Sequence, residues 1–147
     1  NQCVEIADML LGKSLIVYTE GRNGDDEKYY SDDQKYDVKL VVLVDQGSAS
    51  ASEIVTGALK DHNVAKIVGT QTFGKGIVQV VKPFMDNTGF KLTTSQYFTP
   101  NGINIHGVGI EPDVLVEMNE SYYELENPTK ADDNQLQKAI EVLKSNM

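Results

Sequence analysis

Leu40-Val41-Val42-Leu43-Val44 is an unbroken apolar run, and it constrains the fold more than any other stretch of this chain. A strand with one wet face alternates apolar and polar residues. A continuous run marks a strand covered on both faces, as in parallel sheets flanked by helices. After Asp45-Gln46-Gly47, apolar residues recur at Ala51, Ile54, Val55, Ala58 and Leu59, which predicts a helix of about three turns. Ile67-Val68-Gly69 predicts a second buried strand. Strand, helix and strand within about 30 residues make a βαβ unit with a right-handed crossover. The fold class expected is α/β.

The other elements are arranged around that unit. Val4, Ala7 and Leu11, with Ile6 and Leu10 beside them, predict an amphipathic helix over residues 2–11, ended by Gly12. Ser14 to Tyr18 reads as a short strand, and residues 20–37 as a long polar loop or weak hairpin. Ile77 to Val81 and Phe90 to Phe98 are alternating or β-branched runs on either side of Pro83 and the turn Asp86-Asn87-Thr88-Gly89, which predicts a hairpin. Pro100-Asn101-Gly102 and Gly107-Val108-Gly109 punctuate a loop, and Asp113 to Val116 is one more strand. Leu136, Ala139, Ile140 and Leu143 predict a C-terminal helix with Asp132 or Asp133 as N-cap.

Composition narrows the partners. The chain has 147 residues, a single-domain length, and a net charge of −9 from 13 basic and 22 acidic side chains. Nucleic acid and anionic membrane surfaces would repel it, so neither is the expected partner. Cys3 is the single cysteine, so no internal disulfide forms; in its apolar helical pattern it reads as a small buried hydrophobe. No apolar run approaches the ~20 residues of a bilayer span. No Cys/His or acidic cluster has metal-ligand spacing, so no metal or cofactor is implied.

The chemistry concentrates between Ser48 and Gln79. Ser50-Ala51-Ser52-Glu53 is a capping box at the start of the predicted helix. A serine there also has free backbone N–H groups and the positive end of the helix dipole beside it, which suits an oxyanion on an attacked carbonyl. Lys75 lies between Gly74 and Gly76, a setting that predicts close backbone approach around a buried amine. A lysine used as general base works as the neutral amine. Bringing an amine from about 10.4 to near 7–8 takes roughly 3–4 kcal/mol of desolvation. Phe73, Ile77 and Val78 are the apolar neighbours on offer. Lys75, Ile77 and Gln79 fall on one strand face, so Gln79 either holds the amine by hydrogen bond or is a polar residue on a half-exposed strand.

Rival motifs fail on single positions. Gly69 to Lys75 fits the first seven positions of a phosphate-binding loop, but Gly76 replaces the Mg²⁺-binding hydroxyl and a β-branched run follows. A nucleotide binder is thus the weakest alternative. Gly47-Ser48-Ala49 puts alanine where a nucleophile elbow has serine, and no serine in 48–52 precedes a lysine by three residues. His62 at a helix C-terminus and His106 in a glycine-rich loop are not expected to be bases.

These residues resemble the carboxyl-terminal processing, or tail-specific, proteases, which are Ser-Lys peptidases. The resemblance runs from Lys39 to about Val116. It rests on Val42-Leu43-Val44, Gly47 to Ile54, Gly57 to Asp61, Thr72 to Gln79, Thr99 to Gly102 and Gly107 to Asp113. It implies that Ser50 is the nucleophile, Lys75 the base, Gln79 the orienting residue and the Ala51 N–H an oxyanion donor, with Ser48 and Ser52 structural. The fold implied is a β/α superhelical core of the ClpP and crotonase kind. The implied substrates are protein or peptide chains with apolar C-termini, cleaved outside the cytoplasm without a cofactor. In the family a PDZ domain and a glycine-containing loop that supplies a second oxyanion donor precede the segment that begins here. Residues 1–147 are accordingly expected to be the C-terminal part of a catalytic core, weakly active alone and prone to homo-oligomerise through its bare sheet edge. A non-catalytic binding protein of the same fold is the alternative.

Overall fold

The structure, a computed structural model, describes residues 2–22 and 24–145. Asn23, in the polar stretch read as a loop or weak hairpin, lies outside the described residues, as do Asn1, Asn146 and Met147. In chain order the elements are α1 (Gln2–Leu10), β1 (Leu15–Gly21), β2 (Glu27–Tyr30), β3 (Leu40–Val44), α2 (Ala51–Asp61), β4 (Ala65–Gly69), β5 (Ile77–Pro83), β6 (Gly89–Phe98), β7 (Val114–Leu115), a 3₁₀ turn (Glu120–Glu124) and α3 (Asn134–Ser145).

The βαβ unit forms as expected. β3 and β4 pair in parallel from Leu40 opposite Ala65 to Val44 opposite Gly69, with α2 as the crossover. β7 adds to β4, giving a three-stranded parallel sheet in the order β3-β4-β7. Gly69 allows the close approach at the end of the pair. Its φ is +127°, and a Cβ there would sit 1.9 Å from the Val44 carbonyl oxygen. The second sheet is antiparallel, in the order β2-β1-β6-β5. The core lies between the sheets and α1 and α2. Ala7, Leu11, Ile16, Val17, Ile54, Ala58, Leu59 and Ile67 are buried there, and each fully buried Leu or Ile contributes roughly 1.5–3 kcal/mol.

Three expectations need correction. β3 is not covered on both faces: it ends its sheet, and Leu43 is 41% exposed. An all-apolar strand looks alike in sequence whether it sits inside a sheet or at an edge with an apolar flank. β1 runs to Gly21 rather than stopping at Tyr18, because its second half pairs on both sides, Thr19 with Glu27 of β2 and with Tyr97 of β6. Tyr18 stacks on Phe98 across that ladder, ring centroids 5.1 Å apart. The weak hairpin is real: β2 is its return strand. The last strand is Val114–Leu115, paired with Val68 and Gly69, and the expected ends Asp113 and Val116 flank it, their N–H groups donating to Ile67 O at 2.8 Å and Gly69 O at 2.9 Å. Asp133 is the capping acid of α3, accepting from Leu136 N at 2.8 Å.

Candidate active site

Ser50 stands at the junction of the turn after β3 and the first residue of α2. Its φ is +55° and its ψ −110°, a left-handed conformation that a residue with a Cβ rarely adopts. Strain of this kind costs of order 1–3 kcal/mol and persists where surrounding bonds over-determine it. The over-determining group is Glu53, one helical turn on, whose side chain is fully buried. Ser50 N donates to Glu53 Oε2 at 2.8 Å, the carboxylate arm of the expected capping box.

The same carboxylate reaches across to the segment that carries Lys75. Lys75 N donates to Oε2 at 2.8 Å, Gly74 N to Oε1 at 2.6 Å and the Thr72 hydroxyl to Oε1 at 2.6 Å. Two donors therefore meet each oxygen. Thr72 Oγ1 in turn accepts from Ile110 N at 2.8 Å, tying the 105–110 loop to the cluster. Sequence reasoning found Glu53 only as a cap. The sequence carried no signal for the rest, because a Glu in the first turn of a helix is ordinarily solvated and its burial here comes from a turn 19–22 residues further on.

The glycines around Lys75 have a different reason from the one expected. Gly74 has φ +87°, and a Cβ on Gly76 would come within 2.4 Å of His106 N. The turn is pressed against the 105–109 loop, and Gly107 N donates to Gly74 O at 2.9 Å. The close approach is backbone on backbone, not backbone around a buried amine. Lys75 itself is exposed, and Phe73 is 66% exposed. The apolar shell expected from Phe73, Ile77 and Val78 does not close over the amine. Gln79 is half-buried on β5, and its Nε2 donates to Thr93 Oγ1 at 3.2 Å, not to Lys75. Among the described residues neither Ser50 Oγ nor Lys75 Nζ hydrogen-bonds the other. Ala51, at the first position of α2, carries one of the N–H groups that a helix start leaves without an intrahelical acceptor.

Other candidates fall away. His62 ends α2, with Nε2 2.7 Å from Leu15 O, a packing contact remote from Ser50. His106 is exposed in its loop. Among the described residues no group of three or more His, Cys, Asp or Glu side chains could hold a metal ion. A cavity of about 440 Å³ lies behind the first turn of α2, lined among others by Ile54, Val78, Leu92 and Tyr97. Burial raises the Tyr97 hydroxyl above the usual tyrosine range, and a hydrogen bond to Glu27 does the same for Tyr29, so both phenols stay neutral on its walls.

Residues 1–116 match peptidase family S41. The chain belongs to peptidase family S41. A carboxy-terminal-processing protease from Bartonella bacilliformis is 46% identical over 120 residues, which are 80% of this chain and 28% of the relative. A carboxyl-terminal-processing protease from Synechocystis is 42% identical over 142 residues, 95% of this chain and 33% of the relative. The S41 chain described here thus spans a third or less of the length of those relatives. Among solved structures, the photosystem II D1 C-terminal processing protease matches with a TM-score of 0.72 and 38% identity, over 78% of this chain and 30% of that one. The tricorn protease shares the fold, with a TM-score of 0.60 at 20% identity over 96% of this chain and 13% of that one. The β/α superhelical core is the fold of this S41 segment.

Proposed function

We propose that this segment carries the nucleophile and base of a serine endopeptidase that cleaves protein chains recognised by apolar C-terminal tails, in an extracytoplasmic compartment. Ser50 Oγ attacks the scissile carbonyl carbon while the neutral Lys75 amine takes the hydroxyl proton. As the tetrahedral intermediate collapses, the C–N bond breaks and Lys75 returns the proton to the leaving amine. Water then hydrolyses the acyl-enzyme, with Lys75 as base again. Ala51 N–H donates to the oxyanion at the start of α2. Gln79 holds the Lys75 amine once its side chain exchanges the Thr93 hydroxyl for it. The desolvating cover that a neutral lysine needs comes from outside this segment, in the part of the relatives' length that it does not span.

The observation that carries this reading is the shared Glu53 oxygen. Ser50 and Lys75 are 25 residues apart, yet their backbone amides bond the same carboxylate oxygen at 2.8 Å each. A binding protein of this fold would not need the hydroxyl of Ser50, the amine of Lys75 and the amide of Gln79 together.

Substitution in the full chain tests it. Lys75→Arg stays charged at every working pH, so peptide cleavage falls to the level of Ser50→Ala, while Ser48→Ala and Ser52→Ala continue to cleave. Steady-state peptidase assays read the outcome, and retained cleavage by Lys75→Arg would remove the Ser-Lys assignment.

A further inference from the structure

The antiparallel sheet stops at β5, and β6 is its only strand neighbour among the described residues. Tyr97 N donates to Gly76 O at 2.8 Å, and Phe84 N donates to Thr88 O at 2.7 Å. Those two bonds fix the alternation between them. Even-numbered residues from Gly76 to Phe84 turn their backbone groups toward β6, and odd-numbered ones turn theirs away. The register slip between Val78 and Gln79 adds its extra residue, Thr94, to β6 and leaves the alternation of β5 intact. Ile77, Gln79 and Val81 therefore present N–H and C=O groups along an open edge. Pro83, the next in the row, has no N–H to present. Proline is tolerated in a strand at such an outward position, so it also ends the row of donors.

This edge starts two residues after Lys75, whose backbone shares a carboxylate oxygen with Ser50. Two residues of strand are about 7 Å. None of the other sheet edges, at β2, β3 and β7, leads into Lys75; that of β3 leads into the Asp45–Ser48 turn. Side chains also alternate along β5. Val78 and Val80 share a face with their cross-strand partners Ser95 and Leu92, and Val78 and Leu92 line the 440 Å³ cavity behind α2.

Resting on the Ser-Lys reading above, we propose that the open edge of β5 is the rail that presents the substrate. The substrate chain adds as a further strand whose backbone bonds Ile77, Gln79 and Val81, and whose scissile carbonyl is carried past Ser50. The recognised chemistry is an extended, unblocked peptide backbone with apolar side chains at every second position, where they fall beside Val78 and Val80. Gln79 then takes part through its main chain as well as through its amide. The rail is short: Pro83 limits it to three residues.

Binding to the full chain carrying Ser50→Ala tests this without turnover. The probe is a fluorescein-labelled octapeptide with valine at alternate positions, followed by anisotropy. N-methylation of the peptide, one amide at a time, is expected to weaken binding about 5- to 10-fold at two or more positions spaced two apart. It should have little effect at the positions between, since each outward-facing amide loses one hydrogen bond. Val81→Pro removes a rail donor without breaking a bond to β6 and is expected to weaken the unmodified peptide about 5- to 10-fold. A flat methylation profile, undetectable binding, or undiminished binding by a folded Val81→Pro chain would each overturn the proposal. If Val81→Pro fails to fold, the methylation profile on Ser50→Ala decides alone. Because no cleavage enters the readout, failure of the rail and failure of the Ser-Lys chemistry show up in different experiments.

Discussion

Ser50 carries a penalty that its neighbours do not share. The positive φ is imposed on a residue with a Cβ, and glycine alone is indifferent to it. Ser50→Gly and Ser50→Ala both remove the hydroxyl, but only glycine relieves the backbone. Ser50→Gly is therefore expected to be about 1 kcal/mol more stable to urea than Ser50→Ala while equally inactive. Equal stabilities would mean that the conformation is unstrained. Glu53 shows the opposite balance. Its two oxygens meet four donors and no acceptor, so Glu53→Gln keeps the shape but points an NH₂ at two of those donors. About two hydrogen bonds are lost and donors are left facing each other. The expected destabilisation is about 2–4 kcal/mol by denaturant unfolding, with loss of peptide cleavage in the full chain. A change below 0.5 kcal/mol would show that the cluster is dispensable for the fold.

At the level of elements, the hairpin β5–β6 is two structures end to end. Ser95 to Tyr97 are flanked by β1 on one side and by the start of β5 or Gly76 on the other, and Phe98 by β1 and Asn104, whereas Gly89 to Thr93 have β5 alone. Met85 at the tip is fully exposed, and Phe84 and Phe90 pair with ring centroids 5.6 Å apart in the open. Amides of residues 89–93 are expected to exchange with deuterium faster than those of 95–98, by 10-fold or more for an added stability of about 1.4 kcal/mol; uniform protection would contradict this division. The hairpin was legible because alternation and an Asn-containing turn act locally. So was α2, from its apolar period. The exposed face of β3 was not, because neighbours remote in sequence decide what covers a strand. The environment of Lys75 was misread for a related reason. Flanking glycines report that the backbone passes close to something, and the 105–109 loop, not the amine, is that something. Ser50, Lys75 and Gln79 were singled out through resemblance to the family, while the part of Glu53 as a common anchor for the Ser50 and Lys75 backbones depends on contacts made 19–22 residues away.

The molecule as a whole has two sheets, with edges at β2 and β5 in one and at β3 and β7 in the other. The edge at β3 is the most hazardous of these, since its five residues are all apolar and hold no proline or charge to blunt pairing. A groove of about 400 Å³ runs beside it, lined by Ile6, Val42, Leu43 and Val55 among others. The isolated 147-residue chain is expected to self-associate above its 16.2 kDa mass as concentration rises. Leu43→Lys, at a position already exposed, should return it toward the single-chain mass. Light scattering across a concentration series reads both. A constant 16.2 kDa would mean the edge is protected in solution.

The buried carboxylate of Glu53 also sets a timetable. α2 and its serine can form from local interactions as soon as residues 50–61 are available, but the turn bearing Lys75 is held by bonds that begin on that helix and run on through Thr72 to Ile110. Until the 105–110 loop has been made and has docked, the turn bearing Lys75 lacks part of the network that ties it to α2. The geometry that joins residues 50 and 75 is in this way completed late, by a segment made some thirty residues after Lys75.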